Sequence, residues 1–323
     1  MRLARWTVAG GVGEGFVIGD RVVPFPGGVT VADVLKGGLD AARDLHARID
    51  EDGTPLADVT LLAPVVPASI RDFVAFEEHV EGVSAAVDGR SEVVAEWYEA
   101  PTFYFTNPHT VLGPDETVVP PRTERLDFEL EVAVVIGSVP DSDGANLDAE
   151  AAAAHIFGYT IMNDWSARDL QSREMKVRLG PAKGKDFGTS LGPWIVTADE
   201  LADRLDDEGF LELRAEVRRN GELIGADLVS NMGWPFPELV AYASRNSRVV
   251  PGDVLGSGTV GNGGCLAELW GRRGQLDPAP LQEGDVVEMS VDGLGILRST
   301  VGRAPNVPEI RPARSRARRR TRG

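Results

Sequence analysis

The stretch "MNDWSARDLQ" (residues 162–171) decides the fold around it, because it joins an apolar strand to a polar helix. It gathers two acids, one Arg, one Asn, one Ser and one Gln around a single Trp. The pattern of "YTIMNDW" predicts a strand, and "SARDLQSREM" predicts a helix with Ser166 at its N-cap. Arg168 and Gln171 lie four and seven residues after Asp164, so they share one side of that helix.

Charge is unevenly distributed along the 323 residues. The formal net charge is −17, and the last thirteen residues, "RPARSRARRRTRG", carry seven Arg and no acid, so the remainder carries about −17 − 7 = −24. Such an acidic body argues against a nucleic-acid partner and suits a metabolic enzyme. The Arg-rich end is either a solvated, disordered tail or an electrostatic attachment to acidic surfaces.

The composition also bears on compartment and membrane association. A single Cys, Cys265, excludes a disulfide framework and is typical of a reducing compartment. No apolar run approaches the length of a membrane span, and the first residues show no signal peptide. We therefore expect a cytoplasmic protein that is not bound to a membrane.

Three regions follow one another along the chain. Residues 1–67 predict a small β-rich N-terminal domain, with strands around "GFVIGDRVVPF" and a helix near "VADVLKGGLDAARDLHARI". Residues 68–305 form a larger domain, and residues 306–323 form the disordered Arg-rich tail.

The larger domain contains more strands than helices. "RLDFELEVAVVIG" alternates polar and apolar residues before it becomes fully apolar, which predicts a strand entering a core. Asn220-Gly221 predicts a hairpin turn between two alternating strands. The regular strand–helix alternation of a Rossmann or TIM architecture is missing. We therefore expect a mostly β domain with peripheral helices (α+β), folded as a sandwich or a rolled sheet.

Three acidic residues suggest a metal site. Glu129 and Glu131 are two residues apart on a predicted strand, so both side chains project to one face. Neighbouring carboxylates repel each other unless a cation or a proton lies between them, and with Asp164 as a third oxygen ligand the set suits Mg²⁺ or Mn²⁺. The alternative is a solvent-facing strand edge. Four scattered His and one Cys do not provide the ligand set of a zinc site.

Three further polar residues are candidates for binding an anionic substrate. Arg168 and Gln171 would face the metal, where Arg clamps a carboxylate or an oxyanion; a structural salt bridge is the alternative for Arg168. Lys185 lies in "GPAKGKDFGTS", whose spacing fails as a P-loop but still allows close approach to an anion. The glycine-rich "SGTVGNGGCLAELWG" is similar, with Thr259 among its glycines and Glu268 beyond them.

Five stretches occur in an order that resembles the fumarylacetoacetate hydrolase family. They are "RDFVAFEEH", "LDFELE", "MNDWSARDLQ", "GKDFGTS" and "GSGTVG…AELW", and they span residues 71 to about 270. The ending "EGDVVEM…GLGIL" extends the resemblance to about residue 303, and the first region resembles the N-terminal domain of two-domain bacterial members. The resemblance implies a mixed β-sandwich roll and a homodimer.

The resemblance also implies a role for each candidate residue. It implies that Mg²⁺, or else Mn²⁺ or Ca²⁺, is bound by Asp72, Glu129, Glu131 and Asp164. It implies that His79, seven residues after Asp72, pairs with Glu268 to activate a water, although a lone His near an aromatic segment is more often structural. The residues implied to contact substrate are Arg168, Gln171, Lys185, Thr189 and Thr259.

The implied reaction is hydrolysis of a carbon–carbon bond in a dioxo acid, fumarylacetoacetate- or acylpyruvate-like, as in aromatic catabolism. The His–Glu pair activates the water, and a metal-stabilised enolate leaves. Val74 and Met175 stand where the hydrolase has Tyr, and the loss of two hydroxyls disfavours fumarylacetoacetate itself. The family also contains decarboxylases, isomerases and dehydratases acting on 2-oxo acids at the same metal site, and these remain alternatives.

Two alternatives lie outside enzyme chemistry. One is a metal- or ligand-binding protein without activity, but binding alone does not need the water-activating pair His79 and Glu268. The other is a nucleic-acid-associated protein that uses its Arg-rich end. The acidic body and the lack of aromatic residues between those Arg residues argue against it.

Overall fold

The computed structural model describes residues 1–8, 10–49, 52–88 and 92–314. The helices are α1 (Val31–His46), α2 (Glu77–Asp88), α3 (Ala149–His155), α4 (Arg168–Met175), α5 (Phe236–Ser244) and α6 (Leu266–Arg273). The strands are β1 (Arg2–Val8), β2 (Gly11–Ile18), β3 (Arg21–Pro24), β4 (Thr54–Pro55), β5 (Thr60–Leu62), β6 (Ile70–Phe73), β7 (Phe103–Thr106), β8 (Val111–Leu112), β9 (Thr117–Val118), β10 (Leu126–Asp127), β11 (Leu130–Ile136), β12 (Ile156–Asp164), β13 (Ser166–Ala167), β14 (Thr189–Thr197), β15 (Arg214–Arg219), β16 (Glu222–Leu228), β17 (Val254–Gly256), β18 (Val286–Val291) and β19 (Gly295–Val301).

Two sheets carry the fold. The larger has the strand order β4-β3-β2-β1-β14-β12-β11-β17-β6-β7, with β5 on β1 and β8 on β14. The smaller has the order β16-β15-β18-β19-β9, and β10 pairs separately with β13. Helices lie between the strands along the chain, and the strands outnumber the helices. The predicted α+β class is therefore confirmed.

Strand β11 is buried along its whole length because both of its faces are covered. Val132 and Val134 pack into a core that also contains Val287 and Met289 of the smaller sheet. Ala133 and Val135, on the opposite face, pack into a second core that is shared with α1 and with the first strands. Side chains on a strand alternate between the two faces, which explains why "VAVVI" is continuously apolar.

The N-terminal region contributes strands to the larger sheet. Leu3 of β1 pairs with Ile195 of β14 in antiparallel register. The backbone N–H of Ser138 donates to the carbonyl of Leu35 in α1 over 2.9 Å, which brings this helix against the end of β11. The division into domains at residues 67 and 68 stays a prediction. Residues 306–314 of the Arg-rich tail are exposed, and the tail beyond Arg314 lies outside the described residues.

Local predictions around the opening stretch are confirmed with one exception. Strand β12 ends at Asp164 and helix α4 follows, as its sequence predicts. The N-cap of α4 is Ala167, so the prediction of Ser166 as N-cap is wrong. Ser166 lies in β13 opposite Asp127, and its hydroxyl donates to the carbonyl of Asp164 over 3.0 Å. This backbone pairing keeps Ser166 extended and delays the helix by one residue.

The predicted hairpin turn is also confirmed. Asn220 and Gly221 join β15 to β16, and both have positive φ angles, of 53° and 84°. Asn and Gly adopt this region more readily than other residues, which is why the pair predicts the turn. Within the described residues, no helix has the length and apolar character needed to cross a membrane.

Candidate active site

The larger sheet brings acidic side chains from distant parts of the chain together. Asp72 lies on β6, Glu131 on β11 and Asp164 at the end of β12. Strand β17 runs between β6 and β11, and its Gly256 pairs with Asp72. A Cβ on Gly256 would lie 2.6 Å from Oε2 of Glu131 and 2.8 Å from Oδ1 of Asp72. The two carboxylates therefore fill the space that the missing side chain leaves over β17.

Several carboxylate oxygens in this cluster are buried without a hydrogen-bond partner. They are Oδ1 of Asp72, Oε1 of Glu131 and Oδ1 of Asp164, none of which is hydrogen-bonded to any described residue. Each parent side chain is almost completely buried. Buried polar atoms are normally satisfied, because leaving one without a partner costs about 1 to 3 kcal/mol. The three oxygens thus indicate a site that binds a cation or a proton.

Two positive side chains partly neutralise the cluster. The amine Nζ of Lys185 lies 2.5 Å from Oδ2 of Asp164 and also contacts Glu129. Nη2 of Arg168 lies 2.8 Å from Oε1 of Glu129, and its Nη1 donates to Oε1 of Gln171 over 3.2 Å. Arg168 therefore forms the buried salt bridge that was one of its two alternatives, and it also contacts Gln171, while its role as an anion clamp stays a prediction.

Asp127 is a member of this site that the sequence analysis missed. Its Oδ2 accepts from Nε of Arg168 over 2.8 Å. The same carboxylate accepts from the backbone N–H groups of Leu266 and Ala267, which begin helix α6, over 2.7 and 2.9 Å. An anion at a helix N-terminus is favoured by the unpaired N–H groups there. The alternation Asp127, Glu129, Glu131 was the available sequence signal.

Burial and mutual repulsion shift the pKa values of the carboxyls in different directions. Burial raises the pKa of Asp72, while burial and repulsion from Asp72 and Glu129 raise that of Glu131 well above its usual value. Burial likewise raises the pKa of Asp164, outweighing the attraction of Lys185. Burial opposes ionisation of Glu129 too, but Lys185 and Arg168 together hold its pKa well below the ordinary value. Without a cation, the cluster therefore retains protons.

The residues present fit a divalent cation with oxygen ligands. Asp72, Glu129 and Asp164 each offer a carboxylate oxygen within 4.8 Å of the others, and Glu131 lies against Asp72. Four ionised carboxylates and one Lys leave a net charge of −4 + 1 = −3, since the charge of Arg168 is shared with Asp127. A divalent hard cation would reduce that charge to −1 and satisfy the unpartnered oxygens.

His79 and Glu268 lie on two helices that pack against each other. Gly82, one turn after His79 on α2, leaves the space that the side chain of Glu268 on α6 occupies. Burial lowers the pKa of His79 to about 4, so the imidazole is neutral at pH 7 and able to accept a proton. Its Nδ1 lies 3.6 Å from the sulfur of Cys265.

Glu268 has a different set of partners. Its Oε1 accepts from the backbone N–H of Gly263 over 3.2 Å and lies 2.8 Å from Nη2 of Arg272. Burial raises the pKa of Glu268 to about 7 against the attraction of Arg272. No described residue is hydrogen-bonded to its Oε2, and no hydrogen bond joins this side chain to His79 in the described part of the chain. The two side chains therefore lie on neighbouring helices but are not hydrogen-bonded to each other within the described ranges.

A cavity of about 390 Å³ opens over these groups. The predicted site residues that line it are Asp72, His79, Glu129, Glu131, Arg168, Gln171, Lys185 and Thr259. Asp164, Thr189 and Glu268 lie behind its wall, and Thr189 pairs with Asp164 across β14 and β12. Val74 and Met175 also line the cavity, which makes this part of its wall apolar.

Tyr104 is a second lining residue that the sequence analysis missed. It lies on β7 opposite Asp72, and its hydroxyl donates to Oδ2 of Asp164. Burial, followed by repulsion from Asp164, raises the pKa of this phenol well above its usual value. The sequence signal was weak, because "FYF" at 103–105 is an ordinary strand pattern. Nothing in it distinguishes Tyr104 as a functional residue.

The part of the chain that contains the site residues also matches known proteins. The family model described as "Fumarylacetoacetate (FAA) hydrolase C-terminal" matches residues 68–302. The chain is 29% identical over 312 residues to a fumarylacetoacetase from Arabidopsis thaliana, covering 81% of this chain and 73% of that protein. It is 31% identical over 249 residues to oxaloacetate tautomerase YisK from Bacillus subtilis, covering 76% of this chain and 74% of the tautomerase.

Solved structures show the same fold. A fumarylacetoacetate hydrolase from Exiguobacterium antarcticum is 26% identical, with a TM-score of 0.71 that covers 94% of this chain and 99% of the other. A maleylpyruvate hydrolase from Sphingobium, solved with manganese(II) and pyruvate, is 23% identical, with a TM-score of 0.68 over 94% of this chain and 100% of that one. The predicted mixed β architecture is thereby confirmed, and the relatives include both hydrolases and a tautomerase.

Proposed function

This chain belongs to the fumarylacetoacetate hydrolase family, and from that premise we propose that it is a divalent-metal-dependent hydrolase of a carbon–carbon bond in a dioxo acid. One observation carries the proposal. Buried carboxylates converge on a single cavity, and three of them, Asp72, Glu131 and Asp164, keep an oxygen without a partner among the described residues. Burying these carboxylates close together lowers the free energy of unfolding, and a bound cation would offset that loss.

Mg²⁺ is the proposed ion, with Mn²⁺ or Ca²⁺ as substitutes on the same ligands. Asp72, Glu129, Glu131 and Asp164 would hold it, and all four side chains are nearly completely buried. When bound, a hard cation of this kind polarises a substrate carbonyl and neutralises charge that develops on its oxygen. The manganese ion in the Sphingobium hydrolase belongs to that protein and supports the proposal only by analogy of fold.

Positive and polar side chains on the cavity wall would hold the acid. Lys185, Arg168, Gln171 and Thr259 all line the cavity. Arg168 is positioned by Asp127, and its Nη1 donates to Gln171, so the two side chains are held together. An anionic 2-oxo or dioxo acid would find charge complementarity here, because carboxylates pair strongly with Arg and Lys. Thr189, behind the wall, would act through its strand neighbour Asp164.

His79 would act as the general base. In the tautomer that carries the ring proton on Nδ1, which lies 3.6 Å from the sulfur of Cys265, Nε2 is free to take a proton from water. The resulting hydroxide adds to the carbonyl carbon, the adjacent carbon–carbon bond breaks, and its electron pair stays on the departing carbon. That carbon then takes the proton back from His79. An ionised Glu268, on the helix that packs against α2, would favour the protonated imidazole by its charge.

The remaining parts of the proposal rest on the family and on composition. The family resemblance alone implies a homodimer, and hydrolases among the relatives support a role in aromatic catabolism. A cytoplasmic location is supported by the single, buried Cys265.

Tautomerisation or another isomerisation of a 2-oxo acid at the same site is the second candidate. Two observations favour it: the relative YisK is an oxaloacetate tautomerase, and His79 lacks a hydrogen bond to Glu268 within the described residues. Proton transfer by a neutral imidazole needs no hydrolytic pair, so this arrangement is sufficient for it. Decarboxylation and dehydration use the same cluster but have no specific observation in their favour.

The test is a product analysis with the full chain. Purified protein is incubated with acylpyruvates, fumarylacetoacetate and oxaloacetate, with Mg²⁺ or with a chelator, and product masses are followed. We expect Mg²⁺-dependent addition of water and release of two acids from at least one dioxo acid. An unchanged mass with a shifted ultraviolet spectrum would establish the isomerase instead. Turnover that is equal with chelator would overturn the metal assignment.

A further inference from the structure

We propose that Cys265, His79 and Glu129 form a second metal site, which accepts a thiophilic cation such as Zn²⁺ or Cd²⁺. His79 and Cys265 are 186 residues apart, so the sequence spacing predicted no zinc site, but the fold places one ligand atom from each of the three residues within 4.8 Å of the other two. All three side chains are more than nine-tenths buried, and His79 and Glu129 line the cavity. The proposed reaction does not use the sulfur as a ligand, so this site is additional to the hard-cation cluster.

The spacing of the donors suits a tetrahedral ion. Zinc lies about 2.3 Å from a thiolate and about 2.0 Å from an imidazole nitrogen, so at a tetrahedral angle these two atoms are about 3.5 Å apart. Sγ of Cys265 lies 3.6 Å from Nδ1 of His79. The distance between these two atoms therefore matches the one expected for two ligands of a tetrahedral zinc ion. Glu129 supplies a carboxylate oxygen within reach of both. The open fourth position would face the cavity.

The chemistry of the donors distinguishes this site from its neighbour. Asp72, Glu129 and Asp164 offer only oxygen, which suits Mg²⁺ or Mn²⁺. Adding a thiolate and an imidazole selects softer cations, which bind sulfur and nitrogen more tightly. Glu129 belongs to both sets, so the two ions compete for it. A thiophilic cation on Nδ1 of His79 would also place the ring proton on Nε2, the nitrogen proposed to take a proton from water, and would so block that transfer.

The position of the sulfur is set by helix α6 independently of any metal. Cys265 is the N-cap of this helix, and its sulfur accepts from the backbone N–H of Glu268 over 3.4 Å. Oxygen caps a helix better than sulfur does, so the cap alone does not favour Cys over Ser. Cys265→Ser therefore keeps the cap and removes the soft donor, which makes it the matched variant for a test.

The experiment titrates Cd²⁺ into the full chain after chelator treatment and follows the ultraviolet charge-transfer absorption of a cadmium–thiolate bond. The chain has one Cys, so the band reports on Cys265 alone. We expect saturation at one equivalent and loss of the band when Zn²⁺ is added. His79→Ala should weaken Cd²⁺ binding by more than about tenfold, since a ligand is lost. His109→Ala, at an exposed His, should leave the affinity unchanged.

The outcomes separate this proposal from the proposed function, because no substrate is involved. Absence of the band at saturating Cd²⁺, or an unchanged affinity in His79→Ala, would overturn the three-donor site. Mg²⁺ should raise the apparent dissociation constant for Cd²⁺ through competition for Glu129, and complete insensitivity to Mg²⁺ would contradict the shared ligand. Cys265→Ser should lose the band yet retain the thermal shift that Mg²⁺ produces, which shows that the variant is folded.

Discussion

Nη2 of Arg168 lies 2.7 Å from Oδ2 of Asp127, and the side chain of Asp127 is completely buried. The same carboxylate accepts from two backbone N–H groups at the start of α6, the helix that carries Glu268. Asp127 thus connects the guanidinium at the cavity wall to the helix beside His79. If Arg168 binds substrate as proposed, Asp127 would link that binding to the position of the helix beside the proposed base.

Replacement of Asp127 by Asn should therefore affect both stability and turnover. Removing one partner of a buried charge pair costs about 3 to 5 kcal/mol when the other charge is left alone, but Arg168 keeps a second partner in Glu129. We therefore expect a loss of free energy of unfolding of about 2 to 3 kcal/mol, below that range, measured by urea denaturation. Asp115→Asn is the matched control, because Asp115 pairs with Arg298 on the surface and its loss should cost at most about 1 kcal/mol. Equal losses in the two variants would contradict the role of Asp127.

Glu131→Gln should separate metal binding from stability. Glu131 is held against Asp72 and Glu129, which together with burial raise its pKa, so a neutral amide relieves repulsion. We expect the metal-free variant to gain on the order of 1 kcal/mol of unfolding free energy. Mg²⁺ at about 100 times its dissociation constant stabilises the wild-type protein by about 2.7 kcal/mol, and this gain should disappear in the variant. Thermal denaturation with and without Mg²⁺ measures both effects, and a retained Mg²⁺ shift would exclude Glu131 as a ligand.

Glu268 should make the stability of the protein depend on pH. Its folded-state pKa of about 7 lies above the ordinary value of 4.5, so folding favours the protonated form. The associated stability is fully present below pH 4.5 and is lost as the pH rises through about 7. Glu268→Gln removes this loss, so the variant should gain about 2 to 3 kcal/mol relative to wild type between pH 4.5 and pH 8.

The measurement is urea denaturation of both proteins across that pH range. Any constant cost of the amide cancels in the difference between the two pH values. Glu222→Gln, at an exposed position on β16, controls for the loss of one negative charge. A difference between Glu268→Gln and wild type that stays flat with pH would show that burial does not hold this carboxyl protonated.

His79→Ala tests whether His79 acts as the general base without being a ligand of Mg²⁺. His79 lines the cavity but lies outside the cluster of Asp72, Glu129 and Asp164, so the Mg²⁺-dependent thermal shift should persist. Loss of a general base lowers turnover by about 100- to 10,000-fold. The rate of hydrolysis is compared with that of His109→Ala, which changes an exposed imidazole. Hydrolysis that survives in His79→Ala would exclude His79 as the base.

The sequence by itself determined the local elements and predicted most of the charged residues that meet at the cavity. Strand β12, helix α4 and the turn at Asn220 and Gly221 follow from side-chain periodicity and from the positive φ that Asn and Gly tolerate, and these are properties of neighbouring residues. The spaced motifs likewise identified the acids that the larger sheet brings together at Gly256.

Only the tertiary structure decided which of these side chains contact one another. Asp127 meets helix α6 across 139 residues, and Cys265 meets His79 across 186. Sheet order and helix packing create these contacts, and periodicity along the chain carries no information about them. The same holds for Ser166, whose capping preference yields to strand pairing with Asp127, and for Glu268, whose salt bridge to Arg272 the sequence analysis did not predict. Burial then sets the pKa values, because the charge of a side chain depends on the solvent and neighbours that only the folded chain provides.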